Sequence, residues 1–325
     1  MPWLSPTYEF DVVMLGNTGV GKTSLLASMY EQLTNAINDH IQITIPDMKT
    51  SYLLGESLNE LKFMYKSDGL IPWVGIEGTQ EPRTFLFDIT QKGQKKASFR
   101  LKIHDYPGIY CSVKATDQQR QYLESLLEKA FLVFVVIDMP ALMEEDGQFN
   151  NARNNSFAIQ EFLCNKISKS SRPCPVILTG LRGEKYVKQG RLNEAMGKML
   201  KNYERLIRMT QNLSEIEMIF GCFPQTTGSI IFDKFIIETN SEGKKFPTYV
   251  FKKTSSNASY QPQDCDLPLR LLFAWATTAS FSLRRDYWDG FNWLRDFFDR
   301  DTEIIKASQE IFAQLEDRNV FCWTR

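Results

Sequence analysis

The chain has 325 residues, 43% hydrophobic and 24% charged, the composition of an ordinary water-soluble globule with room for one large domain or two modest ones. Its formal net charge of -1 argues against a nucleic-acid binder, which needs a basic face. Six cysteines without a C-x-x-C pair, and only His40 and His104 as histidines, leave little material for a disulfide framework, a zinc site or a Ser/His/Asp triad.

The opening MPWLSPTYEF has no basic region followed by an apolar core, so no secretory signal is expected, and reduced thiols point to a cytoplasmic protein. YEFDVVMLG (8–16) ends in an apolar run and predicts a buried strand. GNTGVGKTS follows, with the form G-x-x-x-x-G-K-[ST]. TSLLASMYEQLTNAI then carries Leu25, Leu26, Met29, Tyr30, Leu33 and Ile37 at helical spacing. Strand, glycine loop and helix are the setting a phosphate-binding loop requires. Gly16, Gly19 and Gly21 let the backbone curl so that N–H groups from Asn17, Thr18, Val20 and Ser24 face an anion at a helix N-terminus. Lys22 is placed to reach β- and γ-phosphates and Thr23 to place its hydroxyl on Mg²⁺.

A helix is expected at about 49–66, from Leu53, Leu54, Leu58, Leu61 and Met64, followed by the loop LIPWVGIEGTQEPR. TFLFDIT and KASFRLKIHD flank QKGQKK as a hairpin. AFLVFVVID, CPVILTGL and IEMIFGCF predict three more buried strands, separated by amphipathic helices. FDKFIIETN and FPTYVFKKT bracket SEGKK as an inserted hairpin at about 230–254. The apolar stretches are too short to span a bilayer. This order predicts an α/β three-layer fold with a mostly parallel sheet and one antiparallel strand, its ligand at the carboxyl ends of the strands.

Two aspartates compete for the magnesium side. Asp138 ends FLVFVVID as a Walker-B aspartate does, but Met139 stands where a catalytic Glu usually follows, and a structural strand end is the preferred reading. Asp105 in HDYPG forms D-x-x-G with Gly108 after the hairpin, an arrangement in which the Asp holds Mg²⁺ through water and the Gly N–H meets the γ-phosphate. GNTGVGKTS and HDYPG, separated by a hairpin, resemble the translation-factor-related GTPases that include the Ras-like G domains. The extra helix, DYPG and CFPQTTGS resemble in particular the double-GTPase-type domains of bacterial conflict and defence systems. The resemblance spans residues 8–283 as a G-like domain, with 284–325 as an aromatic-rich helical extension whose Tyr287, Phe291, Leu294 and Phe298 share one helical face.

The resemblance implies a switch threonine closing over Mg²⁺ and γ-phosphate, with Thr79 first and Thr84 second. It also implies base contacts from Thr179 and Leu181 in TGLRGE and from Thr227 in PQTTGS. Two positions depart from the family pattern. Where [NT]-K-x-D is expected, Gly180 replaces Lys and Arg182 replaces the Asp that accepts from guanine, with Glu184 a substitute acceptor. Ile109 follows D-x-x-G and cannot orient a water, and no arginine of the matched motifs stands as a finger in cis. The expectation is Mg²⁺-dependent binding of a nucleoside triphosphate, GTP favoured over ATP, with Lys22 and Thr79 as catalytic candidates and slow intrinsic hydrolysis. The chain would act as a switch or assembly subunit for a protein partner or a homo-oligomer. The alternatives are a pseudo-GTPase that binds without turnover and an ATP-binding NTPase.

Overall fold

The computed structural model of the chain describes residues 8–33, 41–66, 69–73, 79–91, 93, 97, 99–112, 114–169, 174–211, 219–239, 245–272 and 320–323. Strand β1 (Tyr8–Leu15) leads through the loop into α1 (Lys22–Leu33). β2 (Ile41–Thr44), α2 (Met48–Phe63) and β3 (Leu70–Trp73) come next, then the hairpin β4 (Arg83–Gln91) and β5 (Phe99–Asp105). α3 (Asp117–Lys129) and β6 (Leu132–Asp138) precede two short helices, α4 (Met139–Met143) and α5 (Asn150–Asn154), and the longer α6 (Ser156–Lys169). β7 (Val176–Leu181), α7 (Glu184–Lys188), α8 (Leu192–Asn202), α9 (Glu204–Gln211) and β8 (Ile219–Cys222) follow. The inserted hairpin is β9 (Ile230–Thr239) and β10 (Lys245–Lys253), and β11 (Val320–Trp323) is the last element described.

The main sheet has eight strands in the order β11-β8-β7-β6-β1-β5-β4-β2. From β8 to β5 all neighbours are parallel, and every residue of β6 and β7 is buried. Such two-sided burial is why these strands read as unbroken apolar runs rather than as alternating ones. β4 runs against β5 as its hairpin partner, and β2 pairs antiparallel with β4. Alternate residues of β1 feed two cores. Phe10, Val12 and Met14 pack with Leu25, Leu26 and Met29 of α1, while Val13 and Leu15 pack with Leu123, Leu163 and Met199. Helices therefore cover both faces, and the fold is α/β in three layers.

Three strands escape the sequence expectations. β11 runs antiparallel to β8, a second reversed strand beyond β4, and it lies in the C-terminal stretch expected to be helical. The rest of 284–325, including the Tyr287–Phe298 face, lies outside the described residues. β3 falls where Pro72 predicts a loop. It is an edge strand of a second sheet, β3-β10-β9, and edges tolerate proline. β2 is a four-residue edge with no periodic signal of its own.

The α2 insertion starts where Asp47 accepts from the Thr50 N–H at 2.7 Å, an N-cap that fixes its first turn. Its buried Leu61, with neighbouring Met64, meets Ala27 of α1 and Phe232, Tyr249 and Phe251 of the hairpin in a third apolar cluster. This cluster brings the insertions over the carboxyl edge of the main sheet, beside the glycine loop.

Candidate functional site

Each parallel strand from β1 to β8 delivers a functional candidate just past its carboxyl end. The loop Gly16–Ser24 follows β1, Asp105 closes β5, Asp138 closes β6, Arg182 follows β7, and Thr226 and Thr227 follow β8. Gly21 has φ +107°, a conformation that a side chain resists, so the curl of the loop depends on it. Lys22 is buried and its Nζ donates to the carbonyls of Gly16 at 3.0 Å and Asn17 at 3.5 Å, so the cation lies folded over its own loop.

The predicted magnesium residues converge. Thr79 Oγ1 donates to Asp105 Oδ2 at 2.8 Å, Thr23 Oγ1 donates to the same oxygen at 3.1 Å, and the two hydroxyls stand 3.3 Å apart. Asp105 is fully buried, and its Oδ1 has no hydrogen-bond partner. A desolvated carboxylate oxygen left without a donor is costly unless a cation takes it. Two hydroxyls and a carboxylate are also the hard oxygen donors that Mg²⁺ prefers, so the residues present fit that ion. Thr84 is not part of this group. It is exposed on β4 and its Oγ1 lies 3.1 Å from His104 Nδ1.

Gly108 lies directly on the loop. A Cβ built there would fall 2.0 Å from Thr18 N and 2.2 Å from Asn17 C, so only glycine permits this approach. The D-x-x-G turn and the glycine loop are in backbone contact. Ile109, the next residue, is 41% exposed.

On the base side, a cavity of about 30 Å³ is walled by Gly21, Ser24, Leu181, Arg182, Glu184, Thr226 and Thr227. Leu61, Met64, Ile230 and Phe251 from the insertions close it. It holds roughly one water, far less than the space a nucleobase fills. Thr179 does not line it; its hydroxyl donates to Ile177 O at 3.4 Å within β7. Glu184 is buried and accepts from Thr227 N at 3.2 Å, with Thr227 Oγ1 at 3.1 Å. Thr227 Oγ1 also donates to Ile230 O at 2.9 Å. A hydroxyl carries one proton, so Thr227 shares it between Glu184 Oε1 and Ile230 O. Burial pushes the Glu184 carboxyl up, more than the bonds from its own N–H and from Thr227 pull it down.

Gly180, where a lysine was expected, has no room for one: a Cβ would meet the Phe223 ring at 2.7 Å and Met139 Sδ at 2.9 Å. The cation comes instead from Arg182, held at φ +59°, whose Nη2 donates to Gly19 O at 2.6 Å and Nη1 to Asp138 Oδ2 at 2.6 Å. Asp138 Oδ2 also accepts from Tyr249 Oη of the hairpin at 2.6 Å, and its Oδ1 accepts from Ala141 N at 3.3 Å as the N-cap of α4. The Tyr249 ring lies 4.8 Å from the Arg182 guanidinium and 4.9 Å from that of Arg153. Arg182 of the matched TGLRGE motif is thus bonded to the loop through Gly19 O and to Asp138, and Arg153 and Tyr249 escape motif reasoning altogether.

No protein-family model matches the chain, and no curated protein sequence does. Solved structures similar to it include the signal recognition particle receptor SRb-GTP/SRX complex from Chaetomium thermophilum, at 15% identity and a TM-score of 0.36, covering 69% of this chain and 93% of that one. The GTP-bound Ski7 GTPase-like domain of S. cerevisiae is similar at 15% identity and a TM-score of 0.37, over 67% of this chain and 43% of that one. Sup35 complexed with GDP is similar at 11% identity and a TM-score of 0.32, over 69% and 39%. The chain thus spans less than half the length of the latter two. Among the described residues no helix is long and apolar enough to cross a membrane.

Proposed function

We propose that the chain binds a nucleoside triphosphate with Mg²⁺ at Gly16–Ser24 and works as a switch or assembly subunit for a protein partner or a second copy of itself. One observation carries this reading: Thr23 and Thr79, 82 and 26 residues from Asp105 in sequence, both donate to its buried Oδ2, while its Oδ1 has no hydrogen-bond partner. When bound, the metal neutralises charge on the terminal phosphates. Thr23, Thr79 and Asp105 would hold it, the loop N–H groups and Lys22 would take the phosphates, and Gly108 would present its N–H after withdrawing. Thr79 links the ion to the segment before β4, so gain or loss of the terminal phosphate would be felt there. GTP is favoured, with Leu181 and Thr227 flanking the base and Glu184, which lines the cavity, as the substitute acceptor for guanine where Arg182 replaces the Asp. A subunit of this kind suits an assembly of the double-GTPase type found in bacterial conflict systems, which the motifs resemble.

The test is isothermal titration with GTP, ATP and their diphosphates, with and without Mg²⁺. Lys22→Ala is expected to abolish binding at an unchanged melting temperature; unchanged affinity in that variant would end the phosphate-loop reading. A second reading, a pseudo-GTPase that binds and never turns over, is favoured by Ile109 and by the contact of Gly108 with Thr18. Binding without phosphate release under every condition would select it.

A further inference from the structure

We propose that Arg153 is a phosphate-binding cation supplied in cis, parked on the inserted hairpin until an anion occupies the loop. The inference rests on the phosphate-loop reading above and adds a residue that no motif contains.

The backbone that carries Arg153 is fastened to the site at three successive points. Ala152 O accepts from Asn17 Nδ2 of the loop at 3.0 Å. The Asn154 amide accepts from Asp138 N at 2.7 Å and donates to Asp138 O at 3.1 Å, tying α5 to the end of β6. Asn155 Nδ2 donates to Cys111 O at 2.6 Å, just beyond the D-x-x-G turn. The origin of the Arg153 side chain is therefore fixed relative to the loop, as a short lever needs. Its Nη1 lies 4.0 Å from the point where a side chain on Gly19 would begin, so the guanidinium already stands at the loop.

Charge supplies the second argument. Lys22, Arg153 and Arg182 gather around Gly16–Gly19, while Asp138 is engaged by Arg182 and Asp105 by the two threonines. Among the described residues, Arg153 contacts no carboxylate: its Nη2 donates to Pro247 O at 2.7 Å and its plane lies over Tyr249. A site with this excess of cations attracts an anion, and a guanidinium gains more from a phosphate oxygen than from a neutral carbonyl. Exchange of Pro247 O for a phosphate oxygen moves only the end of the side chain and loosens β10 from the loop.

The test compares affinities for Mg-GTP and for inorganic pyrophosphate, a probe without a base. Arg153→Ala is expected to weaken both about tenfold or more, and Arg153→Lys to restore part of the loss, since a lysine keeps the charge but not the planar fork. Tyr249→Phe, which frees the same strand from Asp138, is expected to leave both affinities unchanged or raised. Wild-type affinity in Arg153→Ala, or an equal loss in Tyr249→Phe, would show that Arg153 only cements the hairpin. If Lys22→Ala abolishes binding while Arg153→Ala does not weaken it, this inference alone fails. If Lys22→Ala itself binds normally, the phosphate-loop reading fails first.

Discussion

Two buried aspartates close the strands on either side of β1, and their partners differ. Asp138 has every oxygen engaged, by Arg182, Tyr249 and the Ala141 N–H, whereas Asp105 keeps one oxygen without a partner. Asp138→Ala strands Arg182 in a nearly dry setting and is expected to cost about 3 kcal/mol, read as a lower urea midpoint at unchanged slope. Asp105→Asn removes a buried charge that the protein itself leaves half-paired. It is expected to leave the melting temperature unchanged or raised while weakening Mg²⁺-dependent nucleotide binding more than Asp138→Asn does. The opposite ranking would move the metal site to β6 and place the chain nearer the ATPases. The strand-end reading of Asp138 was available from Met139 alone. Its partners were not, because Arg182 stands where an aspartate was expected and Tyr249 sits in a hairpin without a motif.

At the scale of elements, β1, β5 and β4 carry a ladder of side chains on the face opposite Phe10. His104 Nε2 lies 2.7 Å from Asp11 Oδ1, with Lys102 Nζ 3.7 Å from the same oxygen. Partial burial raises the Asp11 carboxyl, but the bond to His104 and the charge of Lys102 outweigh it, and the net shift is downward. A carboxyl lowered on folding stabilises the fold fully above its unfolded value and loses that contribution as pH falls through the folded one. Stability from this ladder is thus expected to be flat at neutral pH and to decay below about pH 4. Asp11→Asn is expected to flatten the acid limb of a stability–pH curve measured by urea unfolding; an unaltered limb would remove Asp11 from that role. The strands of this ladder were legible because β1 is largely apolar and the hairpin alternates. β2, β3 and β11 were not, each being four residues long and stabilised by a partner strand distant in sequence. The site divides in the same way. Thr23, Thr79 and Asp105 follow from a motif and its neighbourhood, whereas Arg153 reaches the loop from a five-residue helix with no pattern to mark it.

For the whole molecule, the proposed function meets a solvent-facing Ile109 directly after the D-x-x-G turn, a side chain that cannot orient a water. Negligible phosphate release is expected from the dilute chain, rising with protein concentration or an added partner, with Lys22→Ala as the blank. Rapid turnover at a rate per molecule that is independent of concentration would overturn this. The contact between Gly108 and Thr18 bears on time as well as on structure. If the loop receives phosphate only after the turn lifts, entry is a gated event, and the affinity measured is the intrinsic one multiplied by the fraction of molecules already open. In stopped-flow mixing, the observed binding rate should climb with nucleotide and then level off at the opening rate of the turn. Gly108→Ala, whose methyl would be driven toward Thr18 N, props the turn away and should lift that plateau, at some expense in stability. A rate that stays linear in nucleotide up to the highest concentration would mean that the lock between the two glycine-bearing loops turns too fast to matter.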